Sequence, residues 1–212
     1  VYAREARRLL EFERRVASTF DASVFVTPNE VALFDDMAPD SRGKHFSVAN
    51  GVADDYFDPG LEFSRPYGEH TKAIVFTGMM DYWANVNAVS WFAKQVLPTV
   101  RSSDSSAEFW IVGASPTEEV QALTAIEGVK VTGRVPDVRP YLKHADVAVA
   151  PLRIARGIQN KVLEALAMGC PVICTTQAAS GLTEVDNMPL VITDDAGEFA
   201  EAVAGSTRAS AD

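Results

Sequence analysis

From residue 73 onward the chain alternates short apolar runs with helical patterns, and no other feature narrows its fold so far. Ala73-Ile74-Val75-Phe76 reads as a buried strand, followed by Gly78 and a helix over 85–100 whose apolar set includes Val89, Trp91, Phe92, Val96 and Leu97. Further strands are expected at 108–112, 129–131, 146–150, 171–174 and 190–192, with helices at 117–125, 137–143, 160–168 and 196–204. Strands too apolar to face water on either side, separated by helices, predict parallel pairing through right-handed crossovers. The expected architecture is α/β, a Rossmann-like open parallel sheet with helices on both faces.

The first 53 residues lack this rhythm. Residues 2–19 form an amphipathic helical pattern, with Leu9, Leu10, Phe12 and Val16 set against Arg4, Arg7, Arg8, Arg14 and Arg15. A short strand at 23–27, a helix at 30–34 and a strand at 45–48 follow, the last ending at the Asn50-Gly51 turn signal. Residues 54–70 are polar and without period, broken by Pro59, Gly60, Pro66 and Gly68, and read as a linker. The division expected is a fragment of one domain at 1–53, the linker at 54–70, a Rossmann-like domain at 71–204 and a small-polar tail at 205–212. Starting inside a helical pattern, the chain reads as cut from something longer.

With 212 residues, 47% hydrophobic and 23% charged, the composition is that of a water-soluble globular protein and excludes disordered, collagen-like and disulfide-scaffold classes. Nineteen Lys and Arg against 29 Asp and Glu give a formal charge of −10, which repels nucleic-acid backbones and anionic lipid at long range, so no nucleic-acid partner is expected. Nothing approaches the ~20 apolar residues of a membrane span, and the charged amino end is not signal-like. The cytoplasm is the expected compartment. Cys170 and Cys174, four apart in an apolar run, read as reduced core thiols.

Ligands of open parallel sheets bind beyond the carboxyl ends of the strands. The segment after the 146–150 strand is the most informative of these, because Arg153, Arg156 and Lys161 surround Gly157 and lead into a helix in an otherwise acidic chain. Unpaired backbone N–H groups and the dipole at a helix start, joined by cationic side chains, make an anion site. Along that helix Gly157, Asn160, Lys161, Glu164 and Met168 share a face by spacing, so an amide, an ammonium and a carboxylate stand in a line. A carboxylate one turn beyond a bound phosphate suits ribose hydroxyls. The plainer reading stays open: Lys161 and Glu164 also form an ordinary i,i+3 pair on a solvated helix, and Gly78, Gly113 and Gly133 also suit simple turns. No G-x-G-x-x-G is present, which disfavours a dinucleotide cofactor.

Three groups of residues carry a resemblance: Gly133-Arg134-Val135-Pro136, the run from Tyr141 to Leu152, and GIQNKVLEALAMGCPVICTT. It extends back through FTGMMDYWANVNAVSWFAKQVLP and IVGASP and forward to Ser180-Gly181-Leu182. Together they resemble the nucleotide-sugar-binding half of a GT-B glycosyltransferase of family 4, closest to the sugar transferases of exopolysaccharide and PEP-CTERM systems. Upstream, the 48–52 and 56–59 segments are similar to the family's interdomain signature, with Ala49 where Pro is usual, which identifies residues 1–53 as the end of an acceptor-side domain.

The resemblance implies that Glu164 holds the ribose, that Gly78 and Met79 lie beneath the diphosphate, and that backbone groups at Arg134 and Val135 read the base. Gln159, Asn160 and Lys161 would line the sugar-diphosphate end. Two departures matter. The first of the family's two helix-motif glutamates is Arg156 here, and the common Arg and Lys after the first strand's glycine are Met79 and Asn85. Charge on the diphosphate is therefore assigned to Arg153, Arg156 and Lys161, with Lys161 and Arg156 as the catalytic pair.

The implied reaction retains anomeric configuration, with a UDP- or GDP-sugar donor and a glycan or lipid-linked acceptor held by the other domain. No tightly held metal or cofactor is implied, and no Asp-x-Asp pair is found. The chain as it stands is expected to transfer little. A nucleotide-sugar epimerase of similar architecture and a non-catalytic nucleotide-binding module are the rival readings. The resemblance also admits a peripheral position at the inner membrane face for the longer protein. An exposed apolar helix face at the amino end invites a homodimer.

Trp83, Trp91 and Trp110 read as core or sheet-covering aromatics. His45, His70 and His144 lack metal spacing, and His144 is expected to cap the helix before it. The acidic pairs at 35–36, 54–55 and 194–195 read as loop solvation or helix caps.

Overall fold

The alternation of arginines with apolar residues at the amino end forms α1 (Tyr2–Thr19) in the computed structural model, which describes residues 2–182 and 188–206. The chain divides into two units at Asn50/Gly51. Of the expected tail, residues 207–212 lie outside the described residues.

In the first unit β1 (Ser23–Phe25) pairs in parallel with β2 (His45–Ser47), and α2 (Pro28–Met37) connects them through a 3-10 turn at Pro39–Ser41. The α2 helix starts two residues before the expected 30–34 span. Proline suits a first helical position, and the Thr27 hydroxyl caps the turn by accepting from the Glu30 N–H at 3.1 Å. The core is small: Ala17, Phe34 and Ala38, with Phe25 and Met37 against them. A hydrogen-bond series reinforces it. His45, its side chain wholly buried, sets Nδ1 2.7 Å from Asp35 Oδ1 and Nε2 3.0 Å from Ser41 Oγ. These are the residue types of a serine-hydrolase triad, but the Ser41 hydroxyl is buried and donates to the Ala38 carbonyl at 3.1 Å. It staples α2 to β2. Asp35 thus anchors His45 rather than serving the loop solvation or helix capping expected of it.

The second unit holds six parallel strands: β3 (Lys72–Thr77), β4 (Ala107–Val112), β5 (Val129–Gly133), β6 (Val147–Ala150), β7 (Val172–Cys174) and β8 (Leu190–Ile192). Their order across the sheet is β5-β4-β3-β6-β7-β8, every pair parallel, with Val75 opposite both Trp110 and Ala148. This is the doubly wound order, and the strand sequence reverses between β3 and β6, where a crevice opens for ligands.

Side chains alternate across the sheet, so neighbouring residues of β4 meet different layers. Phe109 packs on Phe92 with ring centroids 4.4 Å apart, and Phe92 on Phe199 at 5.8 Å. Phe92 follows α3 (Trp83–Trp91) and Phe199 lies in α9 (Ala196–Gly205). Trp110 turns the other way, onto Tyr67 at 5.1 Å and onto Tyr141 of α6 (Arg139–His144) at 6.3 Å. On β6 and β7 packs α7 (Asn160–Ala167). The remaining helices are α4 (Leu97–Ser103), α5 (Glu118–Ala122), which runs on into a 3-10 turn at Leu123–Ala125, and α8 (Thr176–Ala179).

The helix expected over 85–100 is interrupted. Pro98 has no N–H to return to the preceding turn, and the chain widens into a π turn at Phe92–Val96, with the Leu97 N–H bonding back to the Phe92 carbonyl. The short α8, capped by Thr175, carries no apolar period and was not anticipated. Residues of the 54–70 segment lie on this unit: Tyr67 is buried and its hydroxyl donates to the Tyr141 carbonyl at 2.7 Å, while His144 Nε2 meets the Phe63 carbonyl at 2.7 Å. His144 is itself the last residue of α6.

Cys170 and Cys174 are buried thiols not joined in a disulfide, and burial pushes the Cys174 thiol up to about 12. Asp195 caps α9 by accepting from the Gly197 and Glu198 N–H groups at 2.8 and 3.0 Å. Among the described residues no helix is long and apolar enough to cross a membrane.

Candidate functional site

At the carboxyl ends of β3, β4 and β5 stand Gly78, Gly113 and Gly133. Gly78 N–H donates to the Val112 carbonyl at 3.1 Å and Gly113 N–H to the Gly133 carbonyl at 3.2 Å, so the ladder continues through the glycines. A Cβ on Gly113 would stand 1.7 Å from the Gly78 carbonyl oxygen. This spacing excludes every side chain, which makes Gly113 more than turn chemistry. A Cβ on Gly78 would meet Asn85 Nδ2 at 2.8 Å and Lys161 Nζ at 3.1 Å. The floor beyond β3 is therefore bare backbone facing an amide and an ammonium.

Lys161 reaches this floor from α7 across the crevice between β3 and β6. Its ammonium donates to Asn85 Oδ1 at 2.7 Å and lies 4.0 Å from the Phe76 ring centroid. Asn85, buried in the first turns of α3, donates in turn from Nδ2 to the Met79 carbonyl at 2.9 Å. Desolvation pulls the Lys161 ammonium down to about 7, against a smaller opposing pull from Glu164. Glu164, a turn further along α7, is half-buried. Burial raises its carboxyl above the ordinary range, with Lys161 partly offsetting the rise. Lys161 and Glu164 form no ion pair, and among the described residues no side chain or N–H donates to the Glu164 carboxylate.

The expected site residues fall at one end of the sheet. Gly78 and the exposed Met79 follow β3, the exposed Arg134 and half-buried Val135 follow β5, and Arg153, Arg156 and Gly157 lie in the loop from β6 to α7. Gln159 is the residue before α7 and donates from Nε2 to the Arg156 carbonyl at 3.1 Å, while Asn160, Lys161 and Glu164 belong to the helix. The structure brings Gly78, Met79 and Lys161 together. Among the described residues no hydrogen bond or ion pair joins the side chains of Arg134, Arg153 or Arg156 to that cluster.

Asn85 was noted in the sequence only as a replaced basic residue, yet it links the other three. A polar residue one turn into the helix that follows a strand-end glycine was the available signal. Trp83 differs from the sheet-covering role expected of it: it starts α3 and is 55% exposed, beside Tyr82, also 55% exposed. Among the described residues, no three His, Cys, Asp or Glu stand together as metal ligands.

No curated protein matches the sequence. Among solved structures the chain is similar to a glycosyltransferase from Rickettsia africae, with TM-score 0.66 and 15% identity over 86% of this chain and 52% of that one. It is also similar to WaaG, a glycosyltransferase involved in lipopolysaccharide biosynthesis, with TM-score 0.64 and 16% identity over 85% and 52%. Anabaena Alr3699/HepE, solved in complex with UDP and glucose, aligns with TM-score 0.65 and 11% identity over 92% and 55%. At these identities the likeness is one of fold, and the chain spans about half the length of these structures. The sequence itself matches the family described as glycosyl transferases group 1 over residues 71–206. On that match, which takes in the whole six-stranded sheet and every residue of the cluster around Lys161, the chain belongs to the glycosyl transferases group 1 family.

Proposed function

We propose that the second unit is the donor-binding half of a retaining GT-B glycosyltransferase of family 4, of the kind serving exopolysaccharide synthesis, and that it holds a nucleoside diphospho-sugar at the crevice between β3 and β6. The observation that carries this reading is the pairing on α7 of a desolvated ammonium and a half-buried carboxylate that are not bonded to each other. A half-buried carboxylate that accepts from no donor among the described residues suits the two hydroxyls of a ribose. The ammonium above the Gly78 backbone suits the diphosphate. Solved neighbours in complex with UDP, such as Alr3699/HepE, support the same ligand class.

In transfer the anomeric C–O bond breaks and its electron pair goes to the departing diphosphate oxygen, while the acceptor hydroxyl forms the new C–O bond and passes its proton to that diphosphate. Lys161, Arg156 and the start of α7 stabilise the charge that builds on the diphosphate, an effect greater in the transition state than in the ground state. Arg153 and Gly157 border the same diphosphate, Gln159 and Asn160 line its sugar end, and Arg134 and Val135 meet the base. The first unit is the end of an acceptor-side domain for a glycan or lipid-linked acceptor. The reaction is cytoplasmic, at or near the inner face of a membrane. Copies pair through α1, whose Leu9 and Phe12 are 56% and 53% exposed; a single monomeric species in light scattering would remove that contact.

Calorimetric titration tests the site. Glu164→Ala is expected to weaken UDP or GDP about tenfold, the scale of a hydrogen-bonded charge, while leaving bare pyrophosphate unchanged. Equal losses for both ligands would take Glu164 out of the ribose role.

A further inference from the structure

A buried asparagine that uses both ends of its amide on two different elements is costly to misplace. Asn85 Oδ1 accepts from Lys161 Nζ at 2.7 Å, and Nδ2 donates to the Met79 carbonyl at 2.9 Å. We propose that Asn85 is a positioning residue, whose amide bridges the α7 ammonium and the backbone beyond β3 and so sets both as one cradle for a diphosphate. The inference rests on the nucleotide-sugar reading given above and adds a residue to it.

Chemistry singles out the amide. A carboxamide accepts from an ammonium with its oxygen and donates to a carbonyl with its nitrogen while carrying no charge and no titratable proton. A lysine at this position would repel Lys161, and a carboxylate would face the Met79 carbonyl without a proton to give. The shorter of the two amides fits, because a Cβ on Gly78 would already meet Nδ2 at 2.8 Å. Among the described residues, Lys161 is also faced by the Gly78 backbone, the Phe76 ring beneath it and Glu164 along α7. A lysine tethered in this way has little rotamer freedom left to lose when a ligand arrives.

The test has two readouts on the intact chain, after thermal melts confirm folding of each variant. Carbon-13 NMR of the Lys161 ε-carbon follows its protonation without ligand, and calorimetry follows pyrophosphate and UDP at several pH values. Asn85→Asp should move the Lys161 titration upward by about one pH unit, since an adjacent carboxylate favours the ammonium. Asn85→Ala should move it downward and weaken both ligands about tenfold below pH 7. An unmoved Lys161 titration in both variants would overturn the proposal, as would lost affinity in Asn85→Ala with the Lys161 signal unchanged, the mark of a merely structural role. Unchanged pyrophosphate affinity in Lys161→Met would overturn the nucleotide reading and the cradle with it, while the NMR coupling of Asn85 to Lys161 would still be measured on its own.

Discussion

Lys161 is the residue whose environment departs furthest from what a sequence shows. An i,i+3 lysine and glutamate on a helix look like a solvated pair, and spacing alone does not reveal that the lysine crosses the crevice to Asn85 on another element. Its ammonium, ordinarily held near 10.5, titrates at about 7 in the folded chain. Between those values the unfolded chain binds the extra proton, so this residue destabilises the fold fully below pH 7 and the penalty is relieved as pH rises. Lys161→Met should therefore raise the melting temperature at pH 7, and the gap between variant and wild type should narrow towards pH 9, by up to about 1.4 kcal/mol per pH unit. A constant gap in paired melts at the two pH values would contradict this. Cys174 makes a simpler case. Its thiol, pushed up to about 12 by burial, should resist iodoacetamide at pH 8 until urea unfolds the chain.

Elements were the most legible level. Apolar runs, three of them closed by glycine, locate all six described strands of the sheet, because strands covered on both faces leave little choice of residue. Helix ends were less clear where tertiary contacts decided them, as at Pro98, whose missing N–H produces the π turn, and at Trp83, which extends α3 into solvent. The cap of α9 was legible from Asp195, and its two N–H partners make Asp195→Ala cost about 1 kcal/mol in urea denaturation. Gly113 shows the opposite. As one glycine after one strand it reads as an ordinary turn, and only the neighbouring strand shows that backbone occupies the place of its side chain. Gly113→Ala should cost on the order of 3 kcal/mol, well above the cap, in the same measurement.

For the whole molecule, the fold class follows from strand order, whereas the meeting of α3 and α7 over β3 follows from topology that no local pattern contains. The two units differ sharply in what they bury. The first rests on Ala17, Phe34 and Ala38, the second on a continuous core that includes Phe76, Phe92, Phe109 and Phe199. Differential scanning calorimetry should resolve a lower transition for the first unit, and a chain starting at Gly51 should keep the upper one. A saturating nucleotide, at about 100 times its dissociation constant, should lift only that upper transition, by about 2.7 kcal/mol. The close approach of the Gly78 and Gly113 backbones carries a mechanical corollary. Two strand ends hydrogen-bonded with no side chain between them leave neither room to shift alone, whereas across the crevice the stretch from Pro151 to Gln159 holds Arg153, Ile154 and Arg156 facing water.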